Sequence, residues 1–289
     1  MVVTPDIEFT YENEKKQSVT FNYFSTYIVN NADETASNSV YSIKQPGVHG
    51  EFFTGMSVEK KHISLRGEIR AEMTLEAAQR ILGNVFNPTI KGILRYKHLR
   101  LSDEKAIDCK LSSLPRVFWR RRRLQFTIEL VCTDPFWKGE AVTEVIAETT
   151  KKLSFPVVIP TGGMAFATRR ATLESEFENR GNVEGGFTAH IRARTGTVTN
   201  PEIRNIVTGE RLRVVYFMQP GDVITIVSTL QQRRVSINGE NAFRHLDAEV
   251  STFFSIAIGR NVIGYFADNN IGNMLVSVHY VPNFTFMAG

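Results

Sequence analysis

The feature that most limits the fold of this chain is the run Arg123 to Cys132. There Leu124, Phe126, Ile128, Leu130 and Cys132 alternate with Arg123, Gln125, Thr127, Glu129 and Val131. Successive strand side chains point to opposite faces, so a strict period of two builds a sheet with one face in a core. On a helix the same apolar residues would be scattered round the circumference. The period recurs in Ile63, Leu65, Gly67 and Ile69 against Ser64, Arg66, Glu68 and Arg70, and in Ile107, Cys109 and Leu111 against Asp108 and Lys110. Both cysteines therefore fall on inward positions.

One segment departs from this period. Leu75, Ala78, Leu82 and Val85 recur at helical spacing, with Thr74 placed as an N-cap and Glu76 in the first turn. The spacing predicts a helix from Leu75 to about Phe86, ended by Asn87 and Pro88, because a residue before proline is pushed out of the helical region. In the second half the pattern is all-β. Phe187, Ala189, Ile191 and Ala193 alternate with Thr188, His190, Arg192 and Arg194, and strands are predicted at Val223 to Val227 and Leu275 to Tyr280. Turns are expected at Asn200-Pro201, Thr208-Gly209, Pro220-Gly221-Asp222 and Asn238-Gly239. The last is the preferred type I′ hairpin dipeptide. Short strands at this spacing favour a sandwich or jelly roll.

At 289 residues the chain suits two domains, each large enough to bury a core. After Trp137 the pattern weakens into a polar stretch, so the expected division is a first domain over 1–137, a linker over 138–155 and a second domain over 156–289. Hydrophobic residues at 42% and charged residues at 22% are ordinary globular usage, which argues against a disordered or fibrous chain. No apolar run approaches the roughly 20 residues that cross a bilayer. Asp6 and Glu8 stand where a signal peptide would be basic and then apolar, so a cytosolic product is expected. The net charge of +4 is too small to imply nucleic-acid binding.

Catalytic patterns are not found. His49, His62, His98, His190, His245 and His279 are scattered, without metal-ligand spacing. Cys109 and Cys132 are too few for a zinc site or a disulfide scaffold, and they read as core thiols. A bridge between them requires Cα atoms within about 7 Å. No GxSxG elbow occurs. Gly181 to Thr188 has phosphate-loop spacing, but Phe187 stands where the lysine is needed. Glu174, Glu176 and Glu178 alternate as a solvated strand face would. The chain is therefore expected to be no enzyme, with no catalytic residue, cofactor or metal.

The conspicuous cluster is Trp119 followed by Arg120, Arg121, Arg122 and Arg123. It is read as a solvated turn or a subunit or partner contact, with DNA contact less favoured, because successive strand residues cannot share one face. Arg192 and Arg194, beside His190, read first as a solvated strand face and second as a surface for an acidic partner.

Taken in order, several motifs resemble the siphophage distal tail family. The first half offers Pro46-Gly47, Ile63-Ser64-Leu65-Arg66-Gly67-Glu68-Ile69, one helix, Asn87-Pro88 and Gly92-Ile93-Leu94. It closes with Pro115-Arg116-Val117-Phe118 and a strand ending Leu130-Val131-Cys132-Thr133-Asp134-Pro135-Phe136-Trp137. The second half adds Asn179-Arg180-Gly181-Asn182, Asn200-Pro201-Glu202-Ile203, Thr208-Gly209-Glu210, Pro220-Gly221-Asp222, Phe253-Phe254 and Gly259-Arg260-Asn261.

The resemblance implies a mainly β chain: an N-terminal β-sandwich or split-barrel domain with one α-helix, and a C-terminal galectin-like β-sandwich of jelly-roll form. It further implies a structural virion protein at the distal end of the tail, assembled in the host cytoplasm. Such a protein forms a homo-hexameric ring, a baseplate hub joining the tail tube to the tail-tip and receptor-binding apparatus. Its implied partners are further copies of itself, the tail tube protein, a tail-associated or tail-tip protein, and receptor-binding or other baseplate proteins. No membrane and no sequence-specific nucleic acid are expected, DNA only passing through the channel. The alternatives are a carbohydrate-binding adhesion module contacting the host cell wall and a glycan hydrolase.

Overall fold

In the computed structural model the alternating run becomes a ten-residue strand, Arg123–Cys132, whose Leu124, Phe126, Ile128, Leu130 and Cys132 are all buried. The structure describes residues 3–70, 73–101, 103–151, 167–170, 174–229 and 231–287. The chain is mostly β with a single α-helix among the described residues, as its periodicities indicate. It divides into two units, Met1–Gly139 with Phe284–Gly289, and Glu140–Asn283.

In the first unit the strands are β1 (Ile7–Asn13), β2 (Ser18–Phe21), β3 (Tyr27–Ile43), β4 (Phe52–Ile69), β5 (Gly92–His98), β6 (Asp103–Arg120), β7 (Arg123–Cys132) and β8 (Trp137–Lys138). Helix α1 (Leu75–Val85) lies between β4 and β5. Hydrogen-bonded neighbours run β8-β6-β5-β1-β2-β3-β4-β7, and β6 also pairs with β7, so the sheet closes on itself. Closure removes the free edge that an open sheet would expose.

The helix forms where the apolar spacing placed it. The Ala77 amide donates to Thr74 Oγ1 at 3.2 Å, the Phe86 amide donates to the Leu82 carbonyl, and Ala78, Leu82 and Val85 are buried. Phe86 then caps the core by stacking on Tyr11, with ring centroids 4.2 Å apart. Phe21 lies 5.5 Å from Phe126 and also faces Phe86, so strands from both sides of the barrel meet in one aromatic cluster. Gly67 is required there. A Cβ at that position would overlap the Ile28 carbonyl and approach Phe126 Cζ at 2.8 Å.

The C-terminal residues also belong to this unit. β22 (Asn283–Phe284), whose last residue lies in the unit, pairs beside β8. The residues that follow run to two lysines with almost no exposure, Lys61 at 3% and Lys105 at 1%. Lys61 Nζ donates to the Thr285 carbonyl and to Glu34 Oε2, and Lys105 Nζ donates to the Met287 carbonyl at 3.2 Å. Lys105 also sits 4.3 Å over the Phe284 ring. Glu34 completes the set by accepting from Trp137 Nε1 and the Met287 amide, each at 2.9 Å. Buried charges of this kind persist only when paired and hydrogen-bonded.

In the second unit the strands are β9 (Val142–Lys151), β10 (Ala167–Arg170), β11 (Glu174–Asn179), β12 (Phe187–Ala193), β13 (Val198–Thr199), β14 (Glu202–Asn205), β15 (Arg211–Arg213), β16 (Phe217–Met218), β17 (Val223–Ser228), β18 (Arg233–Ile237), β19 (Glu240–Asn241), β20 (Gly259–Phe266) and β21 (Met274–Tyr280). One sheet runs β10-β9-β21-β12-β17-β18-β19 and another runs β11-β20-β14-β15. Their inward residues, among them Ile191, Ile224 and Val276 from the first and Ile203, Leu212 and Tyr265 from the second, form one core. This is a β-sandwich. Asn238 and Gly239 both have positive φ, at 51° and 89°, which is the type I′ geometry their sequence calls for.

The division differs from the composition-based one at both ends of the second unit. The stretch from Val142, expected as linker, is β9, which pairs with β21. Polar composition failed to mark it because β9 alternates, with Thr143 and Val145 exposed and Ile146 buried. Residues 284–289, expected in the second domain, group with the first unit. The Pro156 to Pro160 stretch lies outside the described residues.

Candidate assembly surfaces

β3 and β4 pair over their whole length, but the barrel uses only one end of the pair. From Tyr27 to Ala32 and from Lys61 to Ile69, inward residues alternate into the core. Beyond Ala36 and Lys61 the two strands continue to Ile43 and Phe52 with no buried residue, as a projecting arm. About eight rungs at ~3.4 Å per residue give it a reach on the order of 25 Å. Its exposed residues include Val40, Tyr41, Ile43, Phe52, Phe53 and Met56, with Phe53 at 68% and Val40 at 62%. Val40 opposes Met56, and on the other face Ile43 opposes Phe52, so both faces of the ribbon are apolar.

A two-stranded ribbon without a core is marginally stable alone. Polar pairs brace it locally: Ser39 donates to Glu59, Ser42 to Glu51, and Tyr41 Oη lies 3.2 Å from Ser57 Oγ. At its root stands the Glu34, Lys61 and Trp137 cluster described above. No motif in the sequence singles out this arm, but a signal is present: apolar residues occupy both parities of the run, at Val40, Tyr41, Ile43, Phe52, Phe53 and Met56. A strand packed on one face would leave one parity polar.

The arginine cluster lies on the hairpin between β6 and β7. Arg121 and Arg122 are its two turn residues, with φ of 49° and 63°, and Arg120 pairs with Arg123 to close it. Arg123 Nη1 donates to Glu68 Oε2 at 2.7 Å, and this bond holds the guanidinium above its ordinary range. Trp119 is 60% exposed. The four arginines therefore do not share one face. Trp119, Arg122 and Arg123 instead border a groove of about 570 Å³ with Tyr23, Met73 and Leu124. Arg70 lies over the Tyr23 ring at 5.4 Å, and Tyr23 meets the exposed Phe24 edge-on.

In the second unit Arg192 lies exposed on β12, and Arg194 follows just beyond the strand end. His190 shares the outward face with Arg192. It lies 3.0 Å from Thr225 Oγ1, with its ring 5.1 Å from that of His279, and burial followed by the His279 charge lowers its pKa. Glu176 engages Arg260 at 2.6 Å on an exposed strand face, with Glu174 and Glu178 exposed beside it. Among the described residues no three histidine, cysteine or carboxylate side chains converge as a metal site. Cys109 and Cys132 are buried free thiols. The neighbouring Cys132 thiol and then burial raise the Cys109 pKa well above the ordinary range, which keeps it protonated and unreactive.

Residues 180–284 match the family described as the siphovirus-type tail component, C-terminal domain. No curated protein matches the sequence. The fold is similar to that of the SPP1 Dit (gp 19.1) protein, described as a paradigm of the hub adsorption apparatus in phages that infect Gram-positive bacteria. The TM-score is 0.65 at 12% identity, over 96% of this chain and 99% of that one. A chain of the phage P2 baseplate, in its activated conformation with Ca, aligns with a TM-score of 0.46 at 11% identity, over 97% of this chain and 99% of that one.

Proposed function

We propose that this chain is a structural component of the distal tail of a siphophage, a non-enzymatic hub that assembles as a ring and connects the tail tube to the tail-tip and receptor-binding apparatus. Two findings support it from different directions. The family match covers residues 180–284, all but the last in the second unit, and the fold of nearly the whole chain is similar to that of the SPP1 Dit protein.

The observation that carries the assembly reading is the arm. A ribbon apolar on both faces, projecting on the order of 25 Å from the barrel, is stable when a neighbour covers it. It reaches beyond the ~15 Å radius of gyration expected for a unit of this size. A ring needs two different patches per subunit, one inserting and one receiving, and an arm supplies the inserting half. A six-membered ring is the stoichiometry that the family resemblance implies. In this reading the first unit forms the ring and the second presents its surface to neighbouring baseplate proteins. Arg192 and Arg194 are candidate contacts for acidic partners.

The test is the mass of the purified chain across a concentration range, with images of the same sample. A closed ring with a central hole is expected, and its loss is expected when residues 38–58 are replaced by a short turn. A strict monomer at every concentration, together with normal tails from a phage lacking the gene, refutes the proposal.

A further inference from the structure

The arm needs a receiving surface, and the first unit carries one where its own arm does not reach. We infer that the groove between the β6–β7 hairpin and the end of β4 is the socket that receives the arm of the next copy in the ring. This inference rests on the ring reading above.

Position is the first argument. The arm leaves the barrel where β4 enters it, at Lys61, and the groove lies where β4 ends, at Glu68, Ile69 and Arg70. Eight residues of strand, on the order of 27 Å, separate the two, and the arm points away from the groove. A chain cannot fill its own socket, but a second copy placed head to tail can. That is the arrangement a closed heterologous ring demands.

Chemistry is the second argument. The groove, of about 570 Å³, is lined by Ile69, Met73 and Leu124 and by the Tyr23 and Trp119 rings, an apolar and aromatic strip set among Asn30, Glu68 and three arginines. The arm's tip offers Phe52 and Phe53, exposed at 54% and 68%. Aromatic rings seated in an aromatic pocket rimmed by arginine are the composition of strong interface contacts. Arginines stand at the groove's rim, Arg70 and Arg122, while Arg123 there is paired with Glu68; the arm carries Glu51 and Glu59 beside Lys44 and Lys60, so the match rests on the aromatic residues and not on net charge.

The third argument is the turn itself. Arg121 and Arg122 occupy left-handed positions that Asn-Gly would occupy at lower cost. Arginine there sacrifices local stability, which is understandable if the side chains serve a contact outside the chain.

The test uses the full chain carrying Thr54→Cys and Arg120→Cys together, exposed neighbours that leave Phe53 and Trp119 in place, compared with each single change and with Thr54→Cys paired with Ile258→Cys, an exposed position of the second unit. The native thiols are buried and stay silent under mild oxidation. Separately, Trp119→Ala is assayed for assembly and melting. The expected result is a ladder of chain-to-chain disulfides with the Thr54 and Arg120 pair alone, and assembly weakened about tenfold or more by Trp119→Ala at unchanged melting. Rings that form without that ladder, or that tolerate Trp119→Ala, overturn the socket while leaving the ring standing. A parent chain that stays monomeric at every concentration, together with normal tails from a phage lacking the gene, overturns both.

Discussion

Replacing Arg121 by Asn and Arg122 by Gly separates the cost of the hairpin turn from its use. Both arginines sit at positive φ, 49° and 63°, where a Cβ crowds the backbone. A left-handed residue other than glycine costs roughly 1–2 kcal/mol, and asparagine tolerates the region better than arginine. Glycine at the second position relieves strain but returns about 0.5–1 kcal/mol of entropy to the unfolded chain. Both side chains are exposed, and the Arg123 to Glu68 ion pair lies outside the change, so little else is lost. The net expectation is a gain of about 1 kcal/mol for the first unit, or a rise of a few degrees in Tm. Urea unfolding followed by tryptophan fluorescence reads this unit alone, because Trp119 and Trp137 are the only tryptophans and both lie in it. The measurement belongs at low protein concentration, where the midpoint no longer depends on concentration and assembly does not contribute. Assembly at higher concentration should weaken at the same time. A stability that is unchanged or lowered refutes the strain argument, whatever happens to assembly.

Gly67→Ala should cost about 1–3 kcal/mol by overpacking, since the added methyl overlaps the Ile28 carbonyl and presses on Phe126; a chemical denaturation midpoint equal to that of the parent would contradict this. Lys61→Met leaves Glu34 with only the Trp137 and Met287 donors, and a loss of about 3 kcal/mol, with faster proteolysis of the C-terminal residues, is expected. Thiol reagents in mildly alkaline buffer should label neither Cys109 nor Cys132 in the native protein and both in denaturant, because burial and the raised Cys109 pKa withhold the thiolate. In the second unit the lowered pKa of His190 means that the unfolded chain binds more protons as pH falls below about 6.5. Its contribution is therefore present above that pH and is lost down through the lowered folded value. The calorimetric transition of that unit should fall over this window, and His190→Gln should flatten the dependence.

Local rules made much of the fold legible. The period of two at Arg123 to Cys132, the helical spacing after Thr74 and the Asn238-Gly239 turn each follow from interactions within a few residues, and each forms as its sequence indicates. What could not be read depends on partners distant in sequence. Glu34, Lys61, Lys105 and Met287 are scattered along the chain, and no local pattern says that they meet. The arm was missed for the opposite reason. Its apolar residues are exposed and join neither core among the described residues, so a pattern that assigns apolar residues to a core passes over them. The arginine cluster was visible from composition, but its division between a strained turn and a groove wall required the hairpin register.

The two crossings between the units have a consequence for how such a chain can be edited. The first unit is left after Gly139 and re-entered at Phe284, so the second unit is a single continuous insertion, Glu140–Asn283, within the first. The inserted segment is thus a cassette with two defined splice points, after Gly139 and before Phe284. Excision, or exchange for another cassette of similar end spacing, leaves both buried lysines and the residues they hold untouched.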